Sequence, residues 1–449
     1  MFDSKVFHKS IKGASHFTTG KPCQDFSDAY QDDGMQIAIV CDGHGGQTYF
    51  RSDLGAQMAT EITKKMLIEF ARCVPPSTFI GTSFSITARP QKNPFIDPDG
   101  NKVRFEELSE EQKKYARQAQ SFVESEGLYP QQQSFVRDLL SVIYKEWLFR
   151  IEMDYKQNPL SKKEQEALHG HGIEKAYGCT LLAFLRTKDY WLSFHIGDGK
   201  IMCCDQSLNW SNPVPEDCAC FLNYTTSLCD SNPLVEFRYS FNGKDDCPLA
   251  FMLCSDGLDG SLRTNENLQD FYEQIISLCM DGDDVESELE SYLPTLSESG
   301  NKDDISLSGI VSFSGIDKEL IRKRLEISKR NRSIRNNYRS KKNEIEAICS
   351  RIDVLKIKYE RAKNNRFNKQ VELDEIRQKM RDKEKEVQEL DQSVYVLKNE
   401  IDNLESDLLK KKSDFDNWKF TVKNEMAELE SAQCESSAEE NNKIDYTNW

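Results

Sequence analysis

No run of about 20 consecutive apolar residues, the length needed to cross a bilayer, occurs anywhere in the 449-residue sequence. The opening Met1-Phe-Asp-Ser-Lys-Val-Phe-His8 also lacks the apolar segment of a secretory leader, so neither secretion nor membrane spanning is expected. Positive charge is in deficit, with 59 Lys and Arg against 75 Asp and Glu and a net charge of -16. That balance argues against a general binder of nucleic acid or anionic membrane and makes other proteins the expected partners. Dense cysteine spacing is missing as well. The 14 Cys are scattered, and several, including Cys41 and Cys254, lie inside apolar runs where a thiol acts as a small hydrophobe. This points to a reducing compartment and a cytosolic or nuclear location. Cys203-Cys204 and Cys218-Ala-Cys220 match no common zinc spacing. From Ile345 onward there is no Pro or Gly at all, which excludes turn-rich structure in that part of the chain.

What the sequence does contain is apolar runs that meet aspartate. Gln36-Ile-Ala-Ile-Val-Cys-Asp-Gly-His-Gly-Gly46 reads as a strand covered on both faces that ends at Asp42 in a tight, glycine-rich turn. A carboxylate at a strand mouth can reach a cation, and the exposed carbonyl of Gly43 is a further hard oxygen donor suited to Mg or Mn. Taken alone, the segment fits an ordinary strand-to-helix loop equally well. Leu249-Ala-Phe-Met-Leu-Cys-Ser-Asp-Gly257 repeats the arrangement at Asp256, and Asp303-Asp304 stands directly before a β-prone run over residues 305–311. Upstream, Lys21-Pro-Cys-Gln-Asp25 supplies a fourth carboxylate.

The length allows two or three domains. A helix is expected over about residues 50–72, where Leu54, Met58, Ile62 and Met66 recur every fourth residue and should pack on a sheet. Residues 75–130, broken by proline and then polar and charged, read as a loop-rich insertion. Residues 135–155 read as a helix and residues 158–171 as a polar connector. Residues 178–185, 190–196 and 200–204 have the form of successive antiparallel strands, with Gly197-Asp198-Gly199 as one of the turns. Such strands combined with amphipathic helices make a layered α+β domain.

In chain order, Asp25, Asp42-Gly43-His44-Gly45-Gly46, Gly178-Cys179-Thr180, Gly197-Asp198, Ser255-Asp256-Gly257 and Asp303-Asp304-Ile305-Ser306 resemble the motif series of the metal-dependent type 2C (PPM) Ser/Thr protein phosphatases. The resemblance covers about residues 10–313. It implies a four-layer α-β-β-α sandwich with its metal site at one end, and hydrolysis of phosphoserine and phosphothreonine on protein substrates. It also implies two divalent ions, Mg or Mn, that clamp the phosphate and activate a water. Asp42 would bridge both ions, the Gly43 carbonyl would complete one site, and Asp256 and Asp303 would serve the other. Gln24, Asp25 and Asp304 would support these ligands from behind. His44, which alone reads as a loop histidine satisfied by backbone, becomes in this series the proton donor to the departing Ser or Thr oxygen.

The chain departs from the family pattern at several points. Gln24 stands where Glu is usual, and Gly20 where an Arg commonly grips the substrate phosphate. Lys21 and Lys12 are left as looser, point-charge contacts. The only candidate for the acidic residue that can hold a third metal is Glu174, and a third metal stays open. Asp304 occupies a position where Asn is common. Two non-catalytic readings remain beside the enzyme, a pseudophosphatase serving as a binding module and a coiled-coil scaffold protein, both kept alive by Gly20.

After residue 313 the composition changes. Residues 314–344 read as a basic helical linker, either a collar for phosphates or acidic protein or a solvated helix face. Over residues 345–430 one heptad register carries Ile345, Ile352, Val387, Val394 and Ile401 at a, with Leu355, Leu390, Leu397 and Leu404 at d. This predicts a long α-helical coiled coil that self-associates as a parallel homodimer or pairs with another coiled-coil protein. The register runs through residues 364–368, so one continuous helix is expected, with a hairpin turn there as the alternative. Residues 431–449 are polar and acidic, and are expected to be disordered.

Overall fold

The computed structural model describes residues 3–90, 95, 101–217, 220, 225–244, 247–375 and 383–437. The chain forms two compact units, Met1–Leu325 and Glu326–Trp449. The first begins with β1 (Ser4–Ile11), α1 (Ala14–Thr19), β2 (Phe26–Gln31), β3 (Met35–Cys41), α2 (Ser52–Cys73) and β4 (Ser83–Ile86). Three helices follow, α3 (Glu110–Glu126), α4 (Pro130–Gln157) and α5 (Lys162–Ala167), and then β5 (Leu181–Thr187), β6 (Trp191–Ile196), β7 (Lys200–Cys204), β8 (Trp210–Ser211), β9 (Arg238–Asn242) and β10 (Ala250–Cys254). The series ends with α6 (Asp256–Leu262), α7 (Asn265–Asp281), α8 (Val285–Ser299), β11 (Ile305–Ser312) and the start of α9 (Lys318–Glu375).

The strands pair into two antiparallel sheets, one in the order β1-β11-β10-β7-β8 and the other in the order β2-β3-β5-β6-β9-β4. The continuous apolar runs follow from their placement, because successive side chains of a strand point to opposite faces and both faces are covered. On β3, Ile37, Ile39 and Cys41 pack with α2 and α4, while Ala38 and Val40 face the β1-β11-β10-β7-β8 sheet. On β10, Ala250, Met252 and Cys254 pack with α7 and α8, and Phe251 and Leu253 meet the β2-β3-β5-β6-β9-β4 sheet. Between the sheets the rings of Phe184 and Phe251 stack 3.6 Å apart. The layers are therefore helix, sheet, sheet, helix.

Local departures from expectation have physical reasons. The α2 face that packs is Ala56, Ala59, Ile62, Leu67 and Phe70, at spacings of three and five, and Leu54 is 36% exposed. A strict every-fourth-residue stripe drifts around a helix of 3.6 residues per turn, so Leu54 falls off the buried side. Within residues 75–130 the structure places the edge strand β4 and the helix α3. The latter begins with a capping box in which Ser109 and Gln112 satisfy each other's backbone N–H. The proline-rich part of that insertion at residues 91–94 and 96–100 lies outside the described residues. The polar connector holds α5, capped in the same way by Ser161 and Glu164. Residues 197–199 do not close a hairpin, since β6 pairs with β5 and β9 whereas β7 pairs with β10 and β8 in the other sheet. Gly197, at φ +114°, makes this crossing possible.

In the second unit, α9 and α10 (Lys383–Ser437) lie antiparallel. Tyr338 stacks on Phe415 and Trp418 at 5.1 and 5.7 Å, and cross-helix ion pairs join Glu344 to Lys411 at 2.8 Å, Arg351 to Glu400 at 3.5 Å and Lys356 to Glu405 at 3.1 Å. The expected seam is the covered side, with Ile352, Leu355 and Ile401 buried and Ile345, Val394, Leu397 and Leu404 half-buried. The expected single extended helix is thus replaced by two helices, α9 and α10, that cover each other's seam. Residues 364–368 are not the turn, because α9 continues to Glu375, and the exposed Arg366 pairs with Asp391 of α10. The joining residues 376–382 lie outside the described residues. So do residues 438–449 of the tail; residues 431–437 continue α10.

Candidate active site

Strand ends build the site. Asp42 follows the C-terminal end of β3, Asp198 that of β6 and Ser255-Asp256 that of β10, while Asp25 precedes β2 and Asp303-Asp304 precedes β11. In antiparallel sheets these ends lie together at one edge of the sandwich. They enclose a cavity of about 270 Å³ lined by Gln24, Asp42, Gly43, His44, Gly45, Asp198, Thr225, Asp256 and Asp303.

The Asp42 loop is held by Gly178-Cys179-Thr180. The Thr180 N–H donates to the Asp42 carbonyl at 2.8 Å, the Asp42 N–H donates to the Thr180 hydroxyl at 3.0 Å, and the His44 N–H donates to the Gly178 carbonyl at 3.1 Å. Gly43 is required by close approach, since a Cβ there would come within 2.4 Å of the Gln24 carbonyl oxygen and 2.8 Å of that of Ser52. Gln24 braces the same loop from its side-chain amide, which donates to the His44 carbonyl at 2.9 Å and to the Ser52 hydroxyl. Asp304 is buried and ties two loops together, its carboxylate accepting the N–H groups of Gly13 and Gln24, both at 2.6 Å, with His16 Nδ1 2.9 Å away.

The electrostatics are those of crowded carboxylates. Burial, then Asp304, pushes the Asp25 carboxyl well above the ordinary range. Burial, then Asp25, Asp256 and Asp198, does the same to Asp42. Asp256 is raised to about 6 by burial and by Asp198. Burial lowers the His44 imidazole, with Asp198 and Asp230 opposing. Its Nε2 is 2.8 Å from the Ser227 hydroxyl and its ring meets Tyr49 edge-on at 4.8 Å.

Among the described residues, no three His, Cys, Asp or Glu side chains gather closely enough to hold one ion by themselves. Asp42, Asp256 and Asp303 share a cavity without converging on a point. The residues nevertheless fit divalent cations. The lining is rich in hard oxygen donors, and the buried Asp25 Oδ2 and Gln24 Oε1 at its back have no hydrogen-bond partner. The Gly43 carbonyl and water would complete a six-oxygen shell that few carboxylates need to fill.

The remaining expected residues are less central. Lys21 reaches the rim, where its ammonium donates to the Gly45 carbonyl. Lys12 stands over the Phe17 ring at 4.9 Å and is not in the lining. Glu174, in a short 3-10 turn at Ile173–Tyr177, is also outside the lining. Gly20 caps α1 at φ +72°, a left-handed conformation that glycine takes without strain. The residues that sequence reading missed are Thr225 and Ser227, together with Asp198 as a wall of the cavity. Asp198 had a signal, as an aspartate directly after an apolar strand. Thr225 and Ser227 lie in a stretch without periodicity.

The family profile described as protein phosphatase 2C matches residues 12–88 and 102–294, more than half of the chain. The chain belongs to the protein phosphatase 2C family. This is a family of metal-dependent Ser/Thr protein phosphatases, acting on phosphoproteins. Among solved structures, similar ones include the serine/threonine phosphatase of S. agalactiae at 16% identity, covering 69% of this chain and 99% of that one with a TM-score of 0.37. Another is the phosphatase PstP/Ppp of Mycobacterium tuberculosis, at 12% identity, covering 69% and 98% with a TM-score of 0.36. A third is the catalytic domain of PstP in complex with two manganese ions, at 12% identity, covering 71% and 100% with a TM-score of 0.37. No curated protein matches the sequence.

Proposed function

We propose that the first unit is a catalytically active phosphatase that hydrolyses phosphoserine and phosphothreonine on proteins with two divalent ions. The observation that carries this reading is the shared cavity of Asp42, Asp256 and Asp303 beside His44, backed by the orphaned oxygen of Asp25. Asp42, the Gly43 carbonyl, Asp256 and Asp303 would hold the ions, Mg or Mn. What bound ions would supply is neutralisation of the phosphate dianion and a water made nucleophilic near neutral pH. Asp304 and Gln24 keep the loops of Gly13 and Asp42 in register, and Asp25 supports the carboxylates from behind. His44 donates a proton to the departing alcohol oxygen. Lys21, already at the rim, is the better placed of the two lysines to meet the substrate phosphate, as a point charge rather than a fork. No observation favours a non-catalytic binding module.

We further propose an assembly or targeting role for the second unit. Because α9 and α10 occupy each other's seam, self-association would join two folded-back pairs rather than two extended helices. Pairing with another coiled-coil chain would use the same half-buried seam. A cytoplasmic or nuclear location accompanies this reading.

The test is Mn-dependent hydrolysis of a phosphopeptide by the full chain. Chelation should stop it, and Asp42→Asn should abolish turnover while leaving the circular dichroism spectrum unchanged. Undiminished turnover in purified Asp42→Asn protein would sink the two-ion reading.

A further inference from the structure

One side chain, Ser227, holds the imidazole of His44 through a hydroxyl fixed on the Cys179 carbonyl and the Cys229 N–H. Ser227 is 1% exposed. Its hydroxyl donates to the Cys179 carbonyl at 3.1 Å and accepts the Cys229 N–H at 3.3 Å. The Cys229 thiol, a weaker donor and acceptor than either, lies 3.2 Å away. The Ser227 N–H donates to Asp230 Oδ2 at 2.8 Å, and the next residue, Leu228, donates its N–H to the Cys179 carbonyl at 3.0 Å, so the hydroxyl is not free to swing. A hydroxyl has a single proton, and in the doubly protonated ring that a proton donor requires Nε2–H can only donate, which leaves the Ser227 proton for the Cys179 carbonyl. The 2.8 Å contact with His44 Nε2 is then one in which Nε2–H donates to Ser227 Oγ. His44 Nδ1 has no hydrogen-bond partner among the described residues. The same Gly178-Cys179-Thr180 segment fixes Asp42 and, through Cys179, fixes Ser227.

We infer that Ser227 is a positioning residue that holds Nε2–H of His44 and makes Nδ1 the nitrogen that passes its proton to the leaving alcohol. This rests on the reading of His44 as proton donor. As the P–O bond to the serine or threonine side chain breaks, its electron pair goes to that oxygen and the Nδ1 proton follows. The neutral ring keeps Nε2–H against Ser227. Water provides the oxygen that replaces the alcohol on phosphorus, and the proton it releases restores Nδ1–H.

The experiment uses the full Mn-loaded chain and two substrates, a phosphoserine peptide, whose alkoxide must be protonated as it leaves, and p-nitrophenyl phosphate, whose phenolate leaves unaided. The readout is the ratio of the two kcat values. Ser227→Ala should lower the peptide-to-aryl ratio by about tenfold with little change in peptide KM, and Ser227→Thr, which keeps the hydroxyl, should restore it. In the His44→Ala background, Ser227→Ala should cause no further drop. Equal losses on both substrates, or an unchanged ratio, in Ser227→Ala would overturn the inference. If His44→Ala itself leaves the ratio unchanged, the proton-donor reading falls and this inference with it. If only His44→Ala lowers the ratio, the proton donor stands and the role of Ser227 does not.

Discussion

Each residue of the acidic cluster opposes its neighbours. Asp25, Asp42 and Asp256 all have carboxyls raised above the ordinary range near 4, chiefly by burial. Between that range and the value of about 6 for Asp256, the folded chain binds more protons than the unfolded one. Stability from these groups is therefore full at low pH and is lost as pH rises through this window. A bound cation favours the ionised forms and offsets the loss. The expected outcome is that Mn raises Tm more at pH 7 than at pH 5, and that Asp256→Asn reduces the fall in metal-free stability between those pH values. Thermal melts of full-length protein, with and without Mn, check both, and equal Mn shifts at the two pH values would contradict the assignment. Asp42 and Asp256 were legible because each ends an apolar strand, a pattern that survives in a single sequence, whereas Asp25, before the polar β2, was legible only from its place in the motif series. Ser227 was not, since its role depends on the Cys179 carbonyl, 48 residues away along the chain, meeting its hydroxyl. Lys12 had charge and proximity in sequence, but its side chain lies over Phe17.

At the scale of elements, double coverage made the strands readable, while the phase of α2 was not. A fourfold spacing of large side chains competes with a packing face made largely of small ones, and only the sheet decides between them. Ala56 and Ala59 let α2 approach β3, while Ile62 and Leu67 fill the space beside them. Ile62→Ala should then cost about 2 to 5 kcal/mol, and Leu54→Ala no more than about 0.5 kcal/mol, in urea denaturation of the full chain. Comparable losses would mean that the helix is turned toward the fourfold stripe. The crossing at residues 197–199 shows the same limit. Two short apolar runs joined by Gly-Asp-Gly look like a hairpin, but β6 and β7 belong to different sheets, which is what carries Asp198 to the cavity.

At the scale of the whole molecule, the heptad register identifies which side of each C-terminal helix is covered but not by what. The same a and d positions can be closed by a second chain or by the chain itself, and local periodicity is identical in both cases. Here α10 returns along α9, and Ile345, Val394, Leu397 and Leu404 remain only half-buried. Two helices cannot enclose a seam completely, so apolar surface is left for a further pair to cover, which is the basis for proposing assembly through two folded-back units. Sedimentation equilibrium of the full chain should show a dimer at micromolar concentration, and the melting of the second unit should depend on protein concentration. Leu404→Glu should weaken the dimer while phosphatase activity in the first unit persists. A monomer throughout, with helix content retained, would mean that the folded-back pair is sufficient alone and would remove self-association from the proposal.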